Sequence, residues 1–259
     1  MLPFAVSARG SHLLLPLDQP LIVLAGASGG GKSTIMRLWA DVMVAADIVP
    51  TVIDPSGSFP VAGLPVTRLE SLEQIEKHVT WLESEFDRRR NVLAQVGALS
   101  FLEVPDMPTV VTILDESQDL FDAESVAEKS DEGHRLRTLA ARLNKLHRRQ
   151  RKCGFCTIMS FTTGAKSTLA IKWTNATVKV ATYLEESESR AFIGDERAHD
   201  QTLRSGRFLM LSPATLGWVY GRTLRVKPKR QRAAPRSGCG RSRRRRPQDR
   251  APEESGPAP

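Results

Sequence analysis

Cysteine is scarce in this sequence, with three in 259 residues. An odd count at positions 153, 156 and 239 supports no disulfide framework and suits a reducing compartment. Cys153 and Cys156 form a CxxC with no second pair to complete a zinc site, and the five histidines show no HExxH or other ligand spacing. Long apolar runs are also missing. The stretch from Leu13 to Ala25 is broken by Pro16, Asp18 and Pro20 and does not span a bilayer. The chain begins Met1-Leu2-Pro3-Phe4, with no basic n-region and no cleavable signal pattern. Aromatic residues make up 6% of the chain, and Trp81, Trp173, Trp218 and Tyr220 read as packing residues rather than base-stacking platforms. These absences exclude a disulfide scaffold, a zinc module and a membrane-spanning protein. The expectation is a soluble, cytoplasmic chain with no membrane span.

What the sequence does have is a lopsided charge. The formal net charge is +8, and from Lys227 onward eleven Lys/Arg face only Asp249, Glu253 and Glu254. That segment alone accounts for the excess, and the remainder is formally neutral. Residues 227–259 are rich in Arg, Pro, Ser and Gly without periodicity, the composition of a disordered basic tail. Arg241, Arg243, Arg244, Arg245 and Arg246 cluster within it.

Within the neutral body, short apolar runs alternate with helix-period segments. Leu21–Ala25, Thr51–Ile53, Thr109–Leu114, Phe155–Phe161, Thr177–Tyr183 and Arg207–Leu211 read as strands, with a hairpin around Trp218-Val219-Tyr220. Ser33–Ala46 and 134–150 read as helices. From Leu69 to Val96 apolar residues recur at spacings of three, four or seven, and Gly97 is a fitting terminator. Residues 1–20 are expected to be a lead-in with an edge strand at Leu13-Leu14-Leu15. The alternation predicts an α/β fold over 21–226, a mostly parallel sheet flanked by helices.

The strongest motif is Gly26-Ala27-Ser28-Gly29-Gly30-Gly31-Lys32-Ser33, which satisfies G-x-x-x-x-G-K-[ST] between an apolar strand and a helix. Glycines let the backbone curl so that successive N–H groups point at a polyphosphate, and the helix N-terminus adds donors and a positive dipole end. Gly26 to Thr34 is therefore the expected nucleotide-binding stretch for ATP. Lys32 would reach the β/γ-phosphates, and the Ser33 hydroxyl would ligand Mg²⁺. The second motif is the apolar run ending in Asp115-Glu116, an acidic pair at a buried strand's carboxyl end, where open α/β sheets bind ligands. Asp115 would hold Mg²⁺, and Glu116 would orient or deprotonate the attacking water. An N-cap aspartate opening the next helix is the plainer reading of Asp115.

Ile113-Leu114-Asp115-Glu116-Ser117-Gln118-Asp119-Leu120 resembles the hhDEFADL signature of FtsK/SpoIIIE motors in the FtsK–HerA superfamily. Further segments match in the same order: Val52-Ile53-Asp54-Pro55, Glu85-Phe86-Asp87-Arg88-Arg89-Arg90 with Leu93 and Gly97, and Arg151-Lys152-Cys153-Gly154-Phe155. The order continues with Ala176–Val180 through Glu188-Ser189-Arg190, and with Leu203–Leu209. The resemblance spans about residues 13–226 and implies a RecA-like P-loop ATPase that forms a hexameric ring around double-stranded DNA. It implies an arginine acting in trans on a neighbour's γ-phosphate. The matching position is Arg151, with Arg148 and Arg149 close by, in a stretch where six of the nine residues from Lys145 to Cys153 are basic. A solvated basic face is the competing reading.

The sequence departs from the family in two ways. The family's sensor strand ends in a glutamine, whereas Ser160-Phe161-Thr162-Thr163 places the shorter Thr162 there, where a water would complete its reach. The membrane anchor and sequence-reading winged helix of full-length translocases have no counterpart here. Pore-facing loops in the family follow the sensor strand, here Thr163-Gly164-Ala165-Lys166-Ser167-Thr168 and Lys172, and could track phosphates without reading sequence. Two other functions stay open: a packaging or secretion ATPase acting with a portal or membrane partner, and a nucleotide-dependent DNA-binding switch with little turnover.

Overall fold

The structure, a computed structural model, describes residues 1–121, 129–162, 170, 172–204, 206–215 and 217–224. The basic tail and the stretch Thr163–Thr168 lie outside the described residues.

The strands are β1 (Leu2–Ser7), β2 (His12–Leu15), β3 (Leu21–Ala25), β4 (Thr51–Ile53), β5 (Thr67–Leu69), β6 (Val110–Leu114), β7 (Phe155–Phe161), β8 (Val178–Ala181), β9 (Arg207–Leu211) and β10 (Val219–Thr223). They form one sheet in the order β2-β1-β10-β9-β8-β3-β7-β6-β4-β5. The block from β8 to β5 is parallel, and the β9, β10, β1 and β2 pairings are antiparallel. The helices are α1 (Lys32–Val44), α2 (Leu72–Val96), α3 (Gln118–Phe121), α4 (Asp131–His147) and α5 (Glu186–Ile193).

The sheet is covered on both faces, and the two strand patterns follow from that. Every residue of β3 and β7 is buried, as expected for central parallel strands with helices on either side. Leu21, Val23 and Ala25 pack with Ile75, Val79 and Leu82 of α2, Leu139 and Leu143 of α4 and Phe192 of α5. Ile22 and Leu24 point to the other face, onto Ile35, Met36, Trp39 and Met43 of α1. By contrast β2 alternates buried and exposed positions, the mark of a strand with one solvated side.

The helices begin and end where local chemistry directs. Ser71 caps α2 in a reciprocal capping box with Gln74, and Gly97 closes it at φ 70°. Ser130 caps α4 by accepting from the Gly133 N–H. No helix among the described residues is long and apolar enough to cross a membrane.

Three expectations need correction. Residues 1–20 are more than a lead-in: the edge strand expected at Leu13–Leu15 is β2, but Leu2–Ser7 adds β1, and Phe4 is fully buried against Trp39 and Phe208 with ring centroids 5.5 Å from each. β1 pairs with β10, so its partner lies some two hundred residues downstream and no local pattern announces it. Leu69 belongs to β5 and not to the following helix, because Thr67–Leu69 pairs with Thr51–Ile53. Trp81 and Tyr220 are not core residues. Trp81 is 48% exposed and stacks on His78, and Tyr220 is 37% exposed.

Candidate nucleotide site

The site is assembled by three adjacent parallel strands, β3, β7 and β6. Neighbouring strands lie about 4.8 Å apart, so the chain ends leaving β3 and β6 stand about 10 Å apart with the end of β7 between them. Lys32 follows β3, Thr162 follows β7, and Asp115-Glu116 follow β6. A long ammonium side chain from one flank and a carboxylate from the other can therefore meet over the middle strand. They do: Lys32 Nζ lies 3.3 Å from Glu116 Oε1. It also donates to the Gly26 carbonyl at 3.0 Å and to Thr162 Oγ1 at 3.3 Å. Lys32 is 4% exposed.

The loop from Gly26 to Gly31 curls as the motif predicts. Gly29 and Gly31 adopt φ of 71° and 91°, left-handed values that glycine takes without a Cβ penalty. Gly31 is the N-cap of α1 and no side chain caps the helix, which leaves the first-turn donors facing the loop. Gly26 is required for a second reason. It is flanked by Thr182, which follows β8, and a Cβ at position 26 would fall 1.8 Å from Thr182 Oγ1. The loop rests on this strand end, with Ala27 N–H donating to the Tyr183 carbonyl at 2.7 Å. Ala27 and Ser33 are half-buried, Ser28 and Thr34 are exposed, and Gly30 is buried.

Asp115 is 2% exposed. In the β6–β7 register Leu114 faces Met159, so Asp115 falls opposite Ser160, whose hydroxyl donates to Asp115 Oδ1 at 2.6 Å. The other oxygen, Oδ2, is buried without a partner. Burial raises the Asp115 carboxyl above its ordinary range; the Ser160 hydroxyl opposes this, and the nearby Glu116 and Asp54 charges add to it. Asp54, at the end of β4, is already committed to the Ser58 and Phe59 N–H groups and to Arg68 at 2.7 Å. Asp115 is thus the buried carboxylate with capacity to spare, the feature a hard cation requires.

Glu116 sits at φ 43°, an uncommon value for a non-glycine residue. Its N–H donates to Ser160 Oγ at 2.9 Å, and the next N–H, of Ser117, to the Ser160 carbonyl at 2.8 Å. Burial pushes the Glu116 carboxyl up, but the Gln118 amide, the Lys32 ammonium and the Thr162 hydroxyl outweigh it and hold it below the usual range. Thr162 Oγ1 donates to Glu116 Oε2 at 2.8 Å. The short side chain therefore reaches both Lys32 and Glu116 directly.

A curled glycine loop at a helix N-terminus, a buried ammonium and a carboxylate oxygen with open valence fit a polyphosphate with a divalent cation. Arg151 is not part of this constellation. It is exposed in a single 3₁₀ turn, Gln150–Cys153, ahead of β7. β7 has seven residues and spans about 23 Å, so Arg151 and the loop occupy opposite rims of the same sheet. Arg148 and Arg149 are exposed on the same rim, and Lys172 is exposed with its N–H on Asn144 Oδ1. No motif spacing assigns a role to Ser160, Thr182 or Gln118, and the contacts of Ser160 with Asp115, Thr182 with Gly26 and Gln118 with Thr162 are visible only once strand order is known.

No protein-family model and no curated relative matches the sequence. Solved structures share the fold. The pCW3 conjugation coupling protein TcpA, in a monomer form with ATPγS, superposes with a TM-score of 0.73 at 20% identity over 85% of this chain and 65% of that one. The cytoplasmic domain of the Thermomonospora curvata type VII secretion ATPase EccC gives 0.67 at 20% identity over 88% and 29%. The genome packaging NTPase B204 of Sulfolobus turreted icosahedral virus 2, in complex with AMPPCP, gives 0.51 at 17% identity over 80% and 99%. This chain accordingly shares the fold of these ATPases, a mostly parallel sheet flanked by helices as the sequence implied. It spans under two thirds of the length of TcpA and of EccC.

Proposed function

We propose that this chain is an Mg²⁺-dependent ATP hydrolase that moves double-stranded DNA, working as a ring of copies. The observation that carries the reading is the Lys32–Glu116 contact, 3.3 Å across the end of β7, with the open Asp115 carboxylate beside it. Lys32 would exchange Glu116 for the phosphates, while the loop N–H groups and the α1 terminus hold the remaining phosphate oxygens. Ser33 and Asp115 would hold Mg²⁺, which supplies charge neutralisation at the phosphates when bound. Glu116 would take a proton from the water that attacks the γ-phosphorus as the bond to ADP breaks. Its depressed pKa keeps it ionised, as a base must be. The position of Arg151 on the far rim suits action on a neighbouring copy and not on its own loop.

The experiment is phosphate release with and without linear duplex DNA, alongside mass by light scattering. Turnover stimulated by DNA, in a species larger than the monomer, is expected. Its absence at high protein concentration would end the motor reading. Stimulation by a protein partner alone would move the cargo from DNA to protein, which the likeness to a secretion ATPase invites. Removal of residues 227–259 is expected to weaken DNA binding and flatten its salt dependence by about 0.9 in log–log slope for each DNA phosphate that the tail no longer neutralises, with DNA-free turnover kept.

A further inference from the structure

Gln118, the first residue of α3, stands two positions beyond Glu116 and is half-buried. Its amide is nearly saturated. Nε2 donates to Glu116 Oε2 and, at 3.0 Å, to Thr162 Oγ1, while Oε1 accepts from the Thr162 N–H at 3.2 Å. Turning the amide over would set oxygen against carboxylate oxygen and nitrogen against an N–H, so its orientation is decided by its partners. The two oxygens of Glu116 are thereby divided. Oε1 faces the Lys32 ammonium, and Oε2 is held by two neutral donors, Gln118 and Thr162.

This division has a mechanical consequence. A glutamate side chain has three rotatable bonds, and one pinned only by Lys32 would swing once a phosphate claimed that ammonium. Glu116 takes a left-handed conformation just ahead of α3, and Gln118 bonds its Oε2 while Lys32 faces its Oε1. We propose that Gln118 is the positioning residue of this site: it pins Glu116 through Oε2 and ties it to Thr162. Oε1 is then left aimed at the attacking water when the phosphates engage Lys32. The inference rests on the hydrolase reading above. It also makes Gln118 and Thr162 a single unit, an amide from the β6 side closing onto a short hydroxyl from the β7 side.

Gln118→Ala and Gln118→Met, the second keeping the length without the hydrogen bonds, test it in the full chain with kcat and KM of ATP hydrolysis. Both are expected to lower kcat about tenfold or more, as misplacement of a reacting group does. Affinity for a fluorescent ATP analogue should stay within twofold. The double variant Gln118→Ala/Thr162→Gln, which returns an amide from β7, should recover most of the loss; a merely structural role for Gln118 would not be rescued this way. Thermal melts identify any variant that has not folded, and the other single variant then decides. A folded single variant with kcat within twofold of wild type would overturn the proposal while leaving the hydrolase intact. Wild-type protein without ATP turnover would instead remove the hydrolase reading itself.

Discussion

The two rims of the parallel strands are built on opposite principles. At the amino-terminal rim two long polar side chains are tied down, although His147 there is buried without a partner. Arg89, 2% exposed, donates to the carbonyls of Pro108 and Cys153 and to Glu85, and lies 4.9 Å from the Phe155 ring centre. Gln150 donates to the Pro20 carbonyl at 2.9 Å. At the carboxyl-terminal rim Asp115 Oδ2 and Thr182 Oγ1 are buried without partners, and Glu116 takes a left-handed conformation. Unsatisfied buried groups each cost on the order of 1–3 kcal/mol, and such costs gather where a ligand is to be received. Arg89 and Gln150 tie the first rim's connections together, and the second rim presents an unpartnered carboxylate oxygen and hydroxyl beside the glycine loop.

The contrast breaks most visibly at Lys32 and Glu116. Lys32→Ala or Glu116→Gln should lower ATP turnover by roughly 100-fold or more, and the isosteric Glu116→Gln should move denaturant midpoints little because it keeps the side chain's shape and its hydrogen-bonding capacity. A large loss of stability would show that this rim, too, is structural.

Gly26→Ala sharpens the comparison next. The new Cβ would collide with Thr182 Oγ1, so nucleotide affinity should fall at least tenfold in a fluorescence titration. Thr182→Ala on that background should restore part of it, because the two residues share one space. Independent, additive losses would separate the loop from the β8 end.

At the other rim Arg89→Ala should destabilise the fold by about 3 kcal/mol, since it strands buried partners, as read by urea denaturation. The surviving folded fraction should bind nucleotide normally.

The smallest effect is in pH. His147, on the amino-terminal rim, has neither ring nitrogen partnered, and burial lowers it to about 4; burial also lowers His78 to about 4. The unfolded chain binds protons near 6.5 and the folded chain does not until near 4, so stability falls as pH drops through that window and levels below it. Glu85, drawn down to about 2 chiefly by Arg88 against its burial, with Arg89 adding to the pull, stays charged throughout. Urea midpoints at pH 7 and 4.5 measure the slope, and His147→Leu should reduce it.

Much of this architecture is legible in the sequence alone. The bounds of β7 and β9 coincide with the largely apolar runs Phe155–Phe161 and Arg207–Leu211: β7 is buried at every position, and β9 is buried at its centre with an exposed arginine at its start. Gly97 ends α2 in the expected left-handed cap. β1 and β5 are hidden for the opposite reason. Leu2–Ser7 gains its meaning from a distant partner, β10, and the three residues of β5 are too few to show a period.

The same division runs through the site. Which residue types would do the chemistry was settled locally: a curled backbone needs glycines, a phosphate needs a cation, and a strand end needs its carboxylates in consecutive positions. Strand order decided the rest. Only the sequence of neighbours β3-β7-β6 sets Thr162 between Lys32 and Glu116, Ser160 beneath Asp115, and the Gln118 amide across the gap. No spacing along the chain encodes those contacts, because pairing between distant strands is chosen by the burial of two whole sheet faces and not by the residues that happen to meet at their ends.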